Sequence, residues 1–157
     1  MGQTLYMETT NVPVTKTCAE IEVYLVNHGA RQVWKEFNGN REVESLEFVM
    51  QIDEKDIYFK LPLRWQAIQK LALQGKTGLR RTREEGQARK VAARLILRWV
   101  QSQFALIDTG MVKMEEVFLP YITAPGGMTY FEQLQNSGGL LALNSGKVEE
   151  VIDVESE

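Results

Sequence analysis

VESLEFVMQIDEKDIYFKLP, residues 43–62, carries the period of two that an extended strand imposes. Leu46, Phe48, Met50 and Ile52 alternate with Glu47, Val49 and Gln51. A turn at Asp53-Glu54-Lys55 follows. Ile57, Phe59 and Leu61 then alternate with Tyr58 and Lys60 until Pro62, which has no N–H to offer a ladder. Upstream, residues 32–37 are rich in β formers and run into Asn38-Gly39-Asn40, a hairpin signal. Three antiparallel strands in a meander are expected, with one apolar face that helices must cover.

Both flanks supply those helices. Thr17-Cys18-Ala19-Glu20 has the form of a capping box, Cys18, Ile21, Leu25 and His28 follow at helical spacing, and Gly29 is placed to end the helix. Residues 63–74 are amphipathic, with Trp65, Ile68, Leu71 and Ala72 directed inward and Gly75 as the stop. A long helix is expected from residue 83 or 84 to residue 109, with Glu84 and Glu85 suited to its positive N-terminal end and Gly110 after it. A short helix interrupted at Pro120 and a last one capped by Thr129 over residues 130–135 complete the set. The expected class is therefore α+β: a three-stranded antiparallel meander packed on one face by several helices, including one long central helix. Trp99, Leu95, Ile96 and Leu106 are expected at the centre of that packing. Residues 1–14 read as a flexible arm, 15–146 as one domain and 147–157 as an acidic, disordered tail.

Composition narrows the chemistry. A chain of 157 residues, 44% hydrophobic and 25% charged, has the size and balance of one globular domain. Cys18 is the single cysteine, which excludes an internal disulfide and suits a reducing compartment. With His28 as the single histidine, the ligands of a typical structural zinc site are lacking, and neither metal nor cofactor is expected. No apolar run reaches spanning length and residues 1–10 lack the form of a secretory leader, so no membrane partner is expected.

The formal charge of −3 is unevenly spread. Residues 76–98 hold eight basic and two acidic side chains, a net of +6, whereas residues 147–157 carry a net of −4. On the long helix, Arg83, Gln87, Lys90, Arg94, Arg98 and Gln101 fall within an arc of roughly 80°, opposite Ala92, Leu95, Ile96, Trp99, Gln103 and Leu106. Spacing of i, i+4 presents charges about every 6 Å, a line that phosphates can follow.

Several blocks of this chain resemble a family of small phage and prophage proteins. They are Val14-Thr15-Lys16-Thr17 with Glu20-Ile21 and Gly29-Ala30, the strand ending in Leu61-Pro62, and Arg89, Ala92, Arg94, Trp99-Val100, Gln103, Ala105-Leu106-Ile107 and Gly110-Met111-Val112. Glu115-Glu116-Val117-Phe118-Leu119-Pro120-Tyr121 and Thr129-Tyr130-Phe131-Glu132 extend the likeness, which spans residues 14–132. Ala93 departs from it, standing where a larger aromatic residue is expected. The resemblance implies a phage setting among early genes that handle DNA, in the cytoplasm of an infected bacterium, and gives no reaction.

The residues themselves point to polyanion binding without catalysis. Arg80, Arg81, Arg83, Lys90, Arg94 and Arg98 are the candidate phosphate contacts, and Trp34, Tyr58 and Trp65 the candidate stacking surfaces for unpaired bases. The competing reading makes Lys90, Arg94 and Arg98 a solvated helix face paired with glutamates. Arg89 lies nearer the apolar arc and is expected to pair with a buried acid or to snorkel. Asp108, Glu115 and Glu116 do not converge by themselves, since adjacent helical residues point about 100° apart. Cys18 and His28, ten residues apart on one helix, are separated by some 15 Å and form no nucleophile–base pair. Gly126-Gly127 and Gly138-Gly139 match no phosphate-loop pattern and are read as turns. Two functions remain in view: a nucleic-acid-binding accessory protein, or an anti-defence protein that blocks a host effector or sequesters a nucleotide signal. Pairing of two copies through the long helix is a further expectation.

Overall fold

The computed structural model describes residues 4–76, 80–124 and 127–139. Its first helix, α1 (Val14–Asn27), starts three residues before the expected cap. Pro13, with φ −58° and ψ 146°, turns the chain into the helix, and Thr17 N donates to its carbonyl at 3.1 Å. The capping box at Thr17 does not form. Thr17 is buried mid-helix, and Glu20 is drawn across to Arg94 instead. Gly29, at φ +100°, ends the helix in the left-handed region that favours glycine.

The meander follows as β1 (Ala30–Phe37), β2 (Val43–Ile52) and β3 (Lys55–Pro62). At the first hairpin, Asn38 Oδ1 accepts from the N–H groups of Asn40 and Glu42. At the second, Ile52 pairs with Lys55, and the two residues between them, Asp53 and Glu54, have φ of 49° and 65°. That is the two-residue turn whose twist matches the strands it joins. The sheet has four strands rather than three. β4 (Ile122–Thr123) pairs antiparallel with Tyr58 and Phe59, giving the order β1-β2-β3-β4. Two residues are too few to show alternation, so this strand leaves no pattern to read.

α2 spans Trp65–Leu73 and α3 spans Glu85–Asp108, joined through a 3-10 turn at Arg80–Arg83. α4 (Met114–Phe118) and a second 3-10 turn (Leu119–Tyr121) lead into β4, and α5 (Tyr130–Asn136) closes the described chain. Thr129 caps α5 as expected: its hydroxyl accepts from Glu132 N at 3.2 Å, while the Glu132 carboxylate accepts from Thr129 N at 2.8 Å.

The core corrects the expected phase of the long helix. Leu97, Val100 and Phe104 of α3 are fully buried against Phe48, Phe59 and Phe118, whereas Leu95, Ile96, Trp99 and Leu106 are half-buried. The buried centre lies roughly 130° round the helix from the arc expected to hold it. The rings of Phe48 and Phe59 stack at 5.0 Å, with Phe118 edge-on to both at 5.9 Å. α1 packs along one flank of α3 and α2 along the other.

The arm expected to be flexible is, over residues 4–13, docked on the start of α3. Glu8 is buried, and Gln87 Nε2 donates to the carbonyls of Glu8 and Thr10 at 3.1 and 2.9 Å. Gln87 therefore belongs to a buried tie and not to an open stripe. The acidic tail expected over 147–157, like Gly126, lies outside the described residues.

Candidate nucleic-acid interface

The basic stripe is broken at its midpoint. Arg94 Nη1 donates to Glu20 Oε2 at 2.9 Å and lies 3.4 Å from Thr17 Oγ1, leaving its side chain 12% exposed. A phosphate approaching along α3 meets an arginine already neutralised by α1. Arg98 is exposed, and its guanidinium bonds Gln101 on its own helix. Gln101 in turn donates to the Tyr24 hydroxyl at 3.2 Å.

Lys90 lines a cleft of about 270 Å³ with Arg41, Arg89, Phe37 and the first turns of α1 and α3. Arg89 forms the floor and is spoken for. Its Nε lies 2.8 Å from Glu85 and 3.3 Å from Glu42, its Nη2 lies 2.7 Å from Glu44, and its Nη1 donates to the Val43 carbonyl at 2.9 Å. Burial opposes its charge, but the bonds to Glu44 and Glu85 outweigh that and raise its pKa. Arg89 therefore pairs with acids as expected, but the arginine is the buried partner and the three carboxylates are partly exposed; its role is structural.

The remaining cations gather at the joint between α2 and α3. Arg80, Arg81 and Arg83 are all exposed on the 3-10 turn, next to exposed Lys70 and Lys76. Among the described residues their bonds fix the joint, and no ion pair to a carboxylate neutralises it. Arg81 donates to Asn11 Oδ1 at 3.1 Å, and Arg83 Nε donates to the Ala72 carbonyl at the C-terminal end of α2. Gln69 Nε2 closes the unit on the Arg83 carbonyl at 3.0 Å. The run from residue 70 to residue 84 contains five basic side chains and one acid, Glu84.

The three candidate stacking residues are not brought to these cations. Trp65 lies beneath the Arg89 guanidinium at 4.6 Å, with its indole N–H buried and without a hydrogen-bond partner. Trp34 and Tyr58 pack edge-on at 6.3 Å. Their registers, opposite Glu47 and Val49, put both on the sheet face away from the core residues Phe48 and Met50. They lean over Glu47, whose carboxyl is pushed up by burial, against the field of Lys60.

Two further candidates resolve into local structure. Cys18 is buried and burial raises its thiol pKa, so it stays protonated at neutral pH. Both ring nitrogens of His28 are engaged, Nδ1 with the Tyr24 carbonyl at 2.7 Å and Nε2 with Asp108 at 3.0 Å, which leaves none to act as a base. Among the described residues no group of three or more His, Cys, Asp or Glu side chains is placed to hold a metal ion, and no helix is long and apolar enough to cross a membrane.

Sequence reasoning missed one opening altogether. A groove of about 330 Å³ lies between α2, α3 and β3, walled by Leu61, Ile68, Leu95 and Ile96 with Trp99 and Tyr121, and Arg64 stands at it. Its residues come from four segments with no shared spacing. The only trace was the second apolar arc of α3, misread as the core. Compared with known proteins, the chain matches no family model, no curated protein and no solved structure.

Proposed function

We propose that this chain is a non-catalytic, phage-type accessory protein that binds nucleic acid through phosphate contacts. The observation that carries the reading is the α2–α3 joint, where Lys70, Lys76, Arg80, Arg81 and Arg83 are all exposed and Glu84 is the only acid in the run. The proposed contact surface is thus a compact basic knuckle, with Arg98 an outlier and Arg94 withdrawn. Binding by three to five such contacts carries a slope of log K against log salt of about −2 to −4. Changing Arg80, Arg81 and Arg83 together to glutamate is expected to abolish binding to labelled DNA or RNA at low salt, whereas Arg98→Glu costs little. Undiminished binding by the triple variant, or no binding by the wild type at about 50 mM salt, sinks the reading.

The cleft at Lys90 favours a second reading, an anti-defence protein that sequesters a nucleotide signal. Lys90 and Arg41 offer charge for a phosphate, and Phe37, 55% exposed, offers a ring. Against it, Glu42 shares the cleft lining and 270 Å³ is below the usual range for a ligand pocket. Calorimetric binding of a cyclic dinucleotide that Lys90→Glu removes, with the basic knuckle intact, selects this reading over the first.

A further inference from the structure

We propose that the groove between α2, α3 and β3 receives an unpaired nucleobase, so that the nucleic acid held by the basic knuckle is single-stranded. The inference rests on the phosphate-binding reading above and adds a second, base-directed contact to it.

Helix α3 is apolar over two arcs. One, through Ala93, Leu97, Val100 and Phe104, is buried in the domain. The other, through Ala92, Leu95, Ile96 and Trp99, forms a wall of the groove, and Leu95, Ile96 and Trp99 are left half-buried. At about 330 Å³ the groove has the volume of a small ligand site. Trp99 and Tyr121 stand 5.3 Å apart at 61°, so a flat ring entering the groove meets aromatic surface in two orientations. Trp99 also packs edge-on against Phe118 at 5.2 Å, which anchors the indole to the core.

Charge says what kind of apolar group fits. Arg64 lines the groove at the start of α2 and is 52% exposed. It lies 5.9 Å above the Phe131 ring, with Glu132 only loosely paired at 3.9 Å, so its N–H groups are open to an anion. Beyond Arg64, exposed cations recur at Lys70 near the end of α2, at Lys76 and on the arginine turn. The nine residues of α2 cover about 13 Å, a span of about two nucleotide repeats of an extended single strand. An aromatic-walled groove with a cation beside it, leading to a cationic knuckle, complements a polymer that is anionic along its backbone and carries flat apolar groups. Stacked bases inside a duplex cannot enter the groove, whereas splayed bases of a single strand can.

The test uses fluorescence anisotropy with three end-labelled ligands of equal length: oligothymidylate, an abasic single strand and a duplex. The base-bearing single strand is expected to bind about tenfold more tightly than the abasic one. Leu95→Trp fills the groove from a half-exposed position. It is expected to bring oligothymidylate down to the abasic level while leaving abasic binding unchanged. Trp99→Leu is expected to do the same, and the Leu95 variant decides the matter if loss of Trp99 unfolds the domain. Equal affinity for oligothymidylate and the abasic strand overturns the base pocket and leaves the phosphate reading standing. Absence of binding to all three overturns both. A dimer in light scattering that Leu95→Trp converts to monomer, with no preference for bases, makes the groove a self-association surface and also overturns the proposal.

Discussion

Replacing Arg89 by methionine removes the cation that pairs with three carboxylates. The guanidinium is 4% exposed and is held by Glu42, Glu44 and Glu85 within 3.3 Å. It also bonds the Val43 carbonyl and covers the face of Trp65. Breaking a buried ion pair from one side costs about 3–5 kcal/mol, because the abandoned charges stay where they are. The ring contact adds up to about 2 kcal/mol when desolvated. The three carboxylates are 40, 32 and 41% exposed, so water reaches them once the arginine is gone. That relief brings the expected loss to about 3 kcal/mol. With a urea dependence of about 2 kcal/mol per molar, the unfolding midpoint falls by about 1.5 M. The assay is urea unfolding followed by circular dichroism at pH 7. A loss below about 1 kcal/mol would refute the assignment of Arg89 as the electrostatic keystone of the hairpin–helix contact.

Two other outcomes follow from the packing and the titrating groups. Burial pulls the His28 pKa down, but its bonds to Asp108 and Tyr24 prevail, so the folded value is raised. The associated stability is present in full below about pH 6.5 and is lost as pH rises through the folded pKa. Asp108→Asn should therefore be less stable than the wild type at acid pH and converge with it above that pKa; an NMR titration of this single histidine at or below 6.5 refutes the clamp. Phe118→Ala empties the meeting point of Phe48, Phe59 and Trp99 and should cost about 3–5 kcal/mol, read as a fall in Tm of about 10 °C. A fall of under about 3 °C would show that α4 is not part of the cooperative core.

The strands of the meander were legible because alternation over Leu46–Ile52 and Ile57–Leu61 is a local consequence of the pleat. The caps and stops that are local, such as Thr129 with Glu132 and Gly29 after α1, were legible for the same reason. The Thr17–Glu20 box had the right spacing and still failed, since the helix starts at Val14 and Thr17 N already donates to the Pro13 carbonyl, which leaves the Glu20 carboxylate to Arg94. The phase of α3 failed too. A helix apolar over two arcs does not say which arc meets the sheet.

By itself the sequence determined the class of fold, the length of the long helix and the concentration of positive charge between residues 76 and 98. The tertiary structure decided which of those charges face water. Arg94 is matched by a carboxylate 74 positions away, and Arg89 by carboxylates on a hairpin more than 40 positions away, pairings that no spacing encodes. It also decided that the apolar arc at Leu95 and Trp99 lines a groove, because α1, α2 and the sheet can cover only three sides of α3.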